Sequence, residues 1–419
     1  MLRRKKVQRI PLYLAMAVAA ANLLGEVILR GYEFGLERDI EEDRKQVNSY
    51  EGAAVFEETA SGNAADFYRK ALDEARRMDS EVFDAVHEAA TAGFQDYRAV
   101  GSLSQKCEAS ALVIEGVRRR QIDWGLRDGA TRLVTLGEYM PQVRFLAECL
   151  ILEGHVHARE QHWLRAAERY LVVMRFGADF GPGDLIMDLA GIGIATAGLN
   201  ALAHLIVALP EEDQPYLAGV LDALSALEPS LASIDDSLRL ERLRLSYGAI
   251  TVARARPLFA ENGIWFPFPY LKAAKRILEE DAMLREVEQI AKTPGQSNRT
   301  RLGKAIMLHA RPDALLPTEY FSHWIYALAS AEDVRARIVT VGTAVRVELF
   351  RQKSERYPKS LAELGGITGS AELLYELADG GHGYVISSIG RDGTHPVGTS
   401  FRMERKSYTG MGEWPGEVR

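Results

Sequence analysis

The sequence predicts a mainly α protein in which an array of antiparallel helices follows an amino-terminal transmembrane anchor and ends in a small carboxyl-terminal α+β module. Three observations predict it. Apolar residues recur at helical spacing from residue 63 to about 325, with breakers between the stripes rather than within them. An apolar run follows five basic residues at the amino end, and after Gly365-Gly366 the period changes to two. A chain of 419 residues with 47% hydrophobic and 26% charged content buries a core without metal or disulfide. Its 51 basic against 58 acidic residues exclude a general nucleic-acid binder, which concentrates positive charge. Cys107 and Cys149 are too few for a disulfide framework or a thiolate zinc site, and form either one bridge or two isolated thiols.

Residues 1–31 read as a basic tip and an anchor. Arg3, Arg4, Lys5, Lys6 and Arg9 precede an apolar run from Ile10 to Leu24 that extends to Leu29, close to the ~20 residues a span requires. The apolar character resumes after Ala17–Ala21, which favours an uncleaved signal anchor over a removed signal. The acidic residues from Glu33 to Asp43 then place the amino end in the cytoplasm and the body on the other side of the membrane. Residues 32–62 read as a linker.

The helical body covers residues 63–325. Residues 64–78 carry Phe67, Ala71 and Ala75 on one face, Asp79-Ser80 caps a helix with Val82, Val86 and Ala90, and residues 102–124 and 131–157 follow as helices. Asp184 to Leu209 is the most apolar stretch of the body. Thr196, Asn200 and His204 form a polar stripe along it, and its acidic flanks lack the basic residues of a cytoplasmic end. It therefore reads as a central bundle helix rather than a second span. Residues 230–256 are again helical. The stretch Pro257–Pro269 breaks helix but stays apolar, so Phe259, Trp265, Phe266 and Phe268 read as a docked loop and a candidate interaction patch. Residues 270–292 return to helix.

The module spans residues 326–398. Val334, Ile338, Val341, Val345 and Leu349 form one stripe, Pro358 stops the helix, and Ser360 with Glu363 reads as a capping box. Leu373 to Leu377 and Tyr384 to Ile389 alternate as two strands around Asp379-Gly380-Gly381. Residues 399–419 read as a flexible tail.

Two resemblances add to this. Gly154, Ala166 and Tyr170, with Gln161-His162-Trp163 at the turn, resemble one tetratricopeptide unit, in which small residues sit where two helices cross, so the body reads as a solenoid-like array. Tyr357-Pro358-Lys359-Ser360-Leu361-Ala362-Glu363-Leu364 and Gly383 to Gly393 resemble the soluble end of the major pseudopilin of type II secretion. The same module closes a broad group of bacterial proteins with an amino-terminal anchor and a helical body, and Asn63 to Tyr68 is similar to that group too. The resemblance implies a bacterial inner membrane, a periplasmic body and a calcium ion at Asp392. Thr394-His395-Pro396 stands where a further acidic ligand belongs, and a plain turn at Asp392-Gly393 is the competing reading.

Ligand-type side chains cluster only at Glu153, His155, His157, Glu160 and His162. On a helix His155 and His157 point about 200° apart. His155 and His162, seven residues apart, share a face and are the candidate metal pair. The phosphate-loop, dinucleotide, nucleophile-elbow and Cys-x-x-Cys motifs are absent from the sequence. The expected function is a non-catalytic, membrane-anchored interaction or scaffold subunit whose partner is another protein or membrane complex. The alternatives are a hydrolytic or metal-dependent enzyme using Asp188, Asn200 and His204 or the histidine cluster, and a pseudopilin-like accessory of a secretion system.

Overall fold

Among the described residues of the computed structural model, backbone hydrogen bonding goes mainly into helices, with two small sheets beside them. The structure describes residues 20, 23–43, 49–56, 60–92, 108–125, 137–181, 185–209, 216–232, 234–255, 319–365, 373–388, 402–405 and 416–418, with scattered positions between 274 and 289. The chain forms two units. One comprises Met1–Gln46, Asp235–Pro294 and Asn298–Tyr326, the other Val47–Ile234, Gly295–Ser297 and Ala327–Arg419.

In the first unit, α1 (residues 23–43) runs on through residues read as linker. Its buried stripe explains why, since Leu29, Leu36 and Asp43 recur seven apart and are 1%, 4% and 6% exposed. α9 (Asp235–Ala255) supplies partners: Arg239 pairs with Asp43 at 2.9 Å and the Tyr247 hydroxyl donates to Glu37 at 3.0 Å. Asp281 accepts from Arg242 and Ser246 at 3.0 Å each and from Arg285 at 2.8 Å. On the opposite side of α1, Leu23, Leu24, Val27 and Phe34 are 55–70% exposed.

The second unit opens with a three-stranded sheet of β1 (Ser49–Glu51), β2 (Ala60–Asn63) and β3 (Arg119–Asp123), in the order β1-β3-β2. None of these strands was expected. Residues 119–123 continue a helical pattern, but pairing with β1 on one side and β2 on the other overrides local propensity. Asn63 joins this sheet to α2 (Ala64–Ala75): its Oδ1 caps Ala65 N at 3.2 Å and accepts from Asp123 N at 2.7 Å, while Nδ2 donates to Asp123 O at 2.7 Å. The aromatic that α2 buries is Tyr68, not Phe67, which lies half-buried under the Arg119 guanidinium. α3 (Ser80–Ala92) and α4 (Glu108–Val117) follow.

The rest of this unit is built of long helices: α5 (Met140–Arg159), α6 (Trp163–Phe180), α7 (Leu185–Ala208), α8 (Leu217–Ala232) and α10 (Glu319–Ser354), which belongs to it from Ala327. α5 and α6 form the expected hairpin. A Cβ at Gly154 would lie 2.3 Å from the Tyr170 ring, and one at Gly191 in α7 would lie 2.4 Å from the Gly177 carbonyl of α6, so both crossings need glycine. α7 follows the expected boundaries closely. It and the stretch Leu217–Tyr247 are long and apolar enough to cross a membrane, and two-thirds of the α7 window is buried against the protein itself.

The carboxyl end forms a second sheet, β4 (Leu373–Ala378), β5 (Gly383–Ser388), β6 (Arg402–Arg405) and β7 (Gly416–Val418), antiparallel throughout. The expected hairpin is there, and the residues read as a tail add two strands to it. Along α10 the predicted stripe is buried at Val334, Ile338, Val341 and Val345. The capping box is not made: Glu363 accepts from Lys359 N, one residue before the cap, at 3.2 Å and pairs with Arg356 at 2.9 Å, while Ser360 makes no side-chain cap to the 3₁₀ turn Leu361–Leu364.

Candidate functional site

Burial sorts the ligand-type side chains between α5 and α6 into two sets. His155 points into the core, 8% exposed, with Nδ1 2.7 Å from the Tyr170 hydroxyl. Burial, reinforced by nearby His204, pushes its pKa down to about 3, so it is neutral. Glu153 is taken up by the Ser110 hydroxyl and by Arg169 Nε at 2.9 Å. The two residues of the expected pair thus stand in different surroundings, His155 in the core and His162 with its side chain 54% exposed. The helix ends at Arg159, Gln161 adopts φ 61°, and the turn carries His162 away from the face that continued helix would have given it.

That same turn brings His162 to a different partner set. His157, Glu160 and His162 each place a donor atom within 4.8 Å of the others. Glu160 Oε2 stands 3.4 Å from His162 Nδ1 and 4.0 Å from His157 Nδ1, and the two imidazole centroids are 6.1 Å apart. The loop is pinned by backbone bonds from Glu160 N to Val156 O at 3.0 Å and from His162 N to His157 O at 2.8 Å. His157 Nδ1 is shielded from solvent and has no hydrogen-bond partner, while Glu160 and His162 side chains are 44% and 54% exposed. Partial burial, with Arg169 and Arg165 nearby, lowers the His157 pKa against a weaker pull from Glu160. The sequence holds this motif as His-x-x-Glu-x-His, but helical-face arithmetic carried across residues 160–162 hides it.

Of the residues named for the alternative bundle-interior enzyme site, Asn200 and His204 lie one turn apart on α7 and Asp188 lies near its other end. Asn200 Oδ1 accepts from Arg337 at 3.1 Å, Thr196 donates to Ile192 O at 2.7 Å, and Asp188 abuts Gly181 at the other end of α7. Burial lowers the His204 pKa. Asp392 and the aromatic residues Phe259, Trp265, Phe266 and Phe268 lie outside the described residues, as does Cys107; Cys149 is buried in α5.

Two buried ionic nodes went unforeseen. Asp179 accepts from Arg175 Nε and from the Tyr68 hydroxyl at 2.6 Å each, its carbonyl accepts from Trp124 Nε1 at 3.3 Å, and its carboxylate is 1% exposed. Each group is spoken for, and the Cβ of any residue replacing Gly52 would overlap Arg175. In the second node Glu348 of α10, fully buried, pairs with Arg405 of β6 at 3.2 Å and with Arg351 at 3.1 Å. Arg405 also donates to Ile206 O at 3.3 Å and Leu209 O at 2.6 Å, capping the carboxyl end of α7 with positive charge. Both nodes fix helices and strands in place. No protein-family model, no curated protein and no solved structure matches the chain.

Proposed function

We propose that the chain is a membrane-attached, non-catalytic interaction subunit, with a solenoid-like helical body held at the membrane by its amino-terminal segment. The observation that carries this reading is the outer face of α1. Leu23, Leu24, Val27 and Phe34 stand exposed along about 16 Å of helix, opposite a stripe that is fully packed. Four large apolar side chains on one face cost ~1.5–3 kcal/mol each in water and gain that back in lipid. They also continue the apolar run that begins at Ile10 behind five basic residues, as the end of an anchor helix does where it leaves the bilayer. The non-catalytic part of the reading rests on the pairing of Asn200, Glu153, Asp179 and Glu348 with cationic side chains, which leaves them engaged in structure.

The full chain, expressed in a bacterial host, is expected to stay with the membranes through alkaline carbonate washing. A phosphatase fused after Arg419 is expected to be active only if exported. Replacing Leu23, Leu24, Val27 and Phe34 together by Ser should shift a clear fraction of the protein out of the carbonate-washed pellet. Recovery of the unaltered chain as a soluble protein would overturn the reading.

A further inference from the structure

We propose that the α5–α6 turn is a binding site for one zinc-class divalent ion, held by His157, Glu160 and His162 with a further coordination position open to solvent. The donor set decides the class of ion. Two imidazoles and one carboxylate suit Zn²⁺ and its borderline neighbours, whereas Ca²⁺ and Mg²⁺ take oxygen-rich shells. Tetrahedral zinc with bonds of ~2.0–2.1 Å holds its donors about 3.3–3.4 Å apart. The Glu160 to His162 separation of 3.4 Å meets that edge length; Glu160 to His157 is 4.0 Å and all three donor atoms lie within 4.8 Å of one another, so binding requires the other two edges to shorten by side-chain rotation.

Three further observations bear on the site. His157 Nδ1 is hidden from water with no hydrogen-bond partner, a costly state for an imidazole nitrogen that a metal bond would relieve. The backbone of the turn is already set by Gln161 at φ 61° and by the bonds to Val156 O and His157 O, so the donors are pre-arranged and binding need not order the loop. The cations that act on the site from α6 are Arg169, which also pairs with Glu153 at 2.9 Å, and Arg165; both oppose a bound cation, and the Glu160 carboxylate has to offset them. Because Glu160 and His162 are about half exposed, an ion there can also take a ligand from a partner or from water.

The test uses the untagged full chain in detergent and Co²⁺ as probe. The expected result is one Co²⁺ per chain with the intense visible absorption of four- or five-coordinate cobalt, displaced by equimolar Zn²⁺. Loss of an outer-shell partner already weakens metal sites by about 10–100-fold, so His162→Ala and Glu160→Gln should each weaken binding at least that much. His382→Ala, at an exposed turn in the carboxyl sheet, should leave it unchanged. His162 is exposed, so its substitution tests the site without threatening the fold, and circular dichroism of the variant checks this. Equal Co²⁺ affinity in His162→Ala and the unaltered chain, or only the weak absorption of six-coordinate cobalt, would overturn the proposal and leave adventitious binding to surface histidines.

Discussion

A buried charge is worth most to the residue that would be left alone without it. Glu348 is fully buried and faces Arg405, and Arg405 in turn serves two carbonyls at the end of α7. Arg405→Met should therefore destabilise the protein by about 3–5 kcal/mol, measured by urea unfolding. The double replacement with Glu348→Leu should cost less than the sum of the single effects. Neither residue was legible. Glu348 falls one position before the apolar Leu349 and reads as the polar edge of the stripe, and its partner lies in a segment that reads as a tail. The His157, Glu160 and His162 set was half legible: the residue types stood out, but their geometry depends on one left-handed residue, Gln161, that periodicity does not reveal.

Among elements, α7 was the easiest to read, because its apolar run is long and its acidic flanks are abrupt. β3 was the hardest. Its five residues continue the pattern of α4, and only two partner strands from other parts of the chain make it a strand. α7 also contains a controlled comparison of glycine. Gly191→Ala places a methyl 2.4 Å from the Gly177 carbonyl and should destabilise by about 1–3 kcal/mol. Gly193→Ala, two residues on, meets nothing within 4 Å and should stabilise by about 0.5–1 kcal/mol through lower unfolded-state entropy. Opposite shifts in thermal midpoint would bear this out; equal shifts would mean that the α6–α7 crossing does not depend on glycine.

For the whole molecule, one buried and one partly buried imidazole set an acid limit. Burial depresses the pKa of His204, and that of His155 to about 3, so both protonate less readily in the folded chain than in the unfolded chain, which takes up protons below about 6.5. Their contribution is complete above that value and falls as pH drops, because the unfolded state then binds more protons. With chelator present, the urea midpoint should fall between about pH 7.5 and pH 5.5. His204→Gln should lose part of that fall while the unaltered chain keeps it. At this scale the mainly helical class and the late change of period were plain in the sequence, whereas long-range pairings that bind distant segments were not. One of those pairings sets a timetable for synthesis. The carboxyl end of α7 is finished by a side chain encoded 199 residues after Ile206. At ~5–20 residues per second a ribosome needs roughly 10–40 s to supply it. Through that interval the most apolar helix of the nascent chain stands without its closing strand, so chains cut short before residue 405 are expected to be chaperone clients and protease substrates, detectable as unstable fragments in pulse-labelled cells.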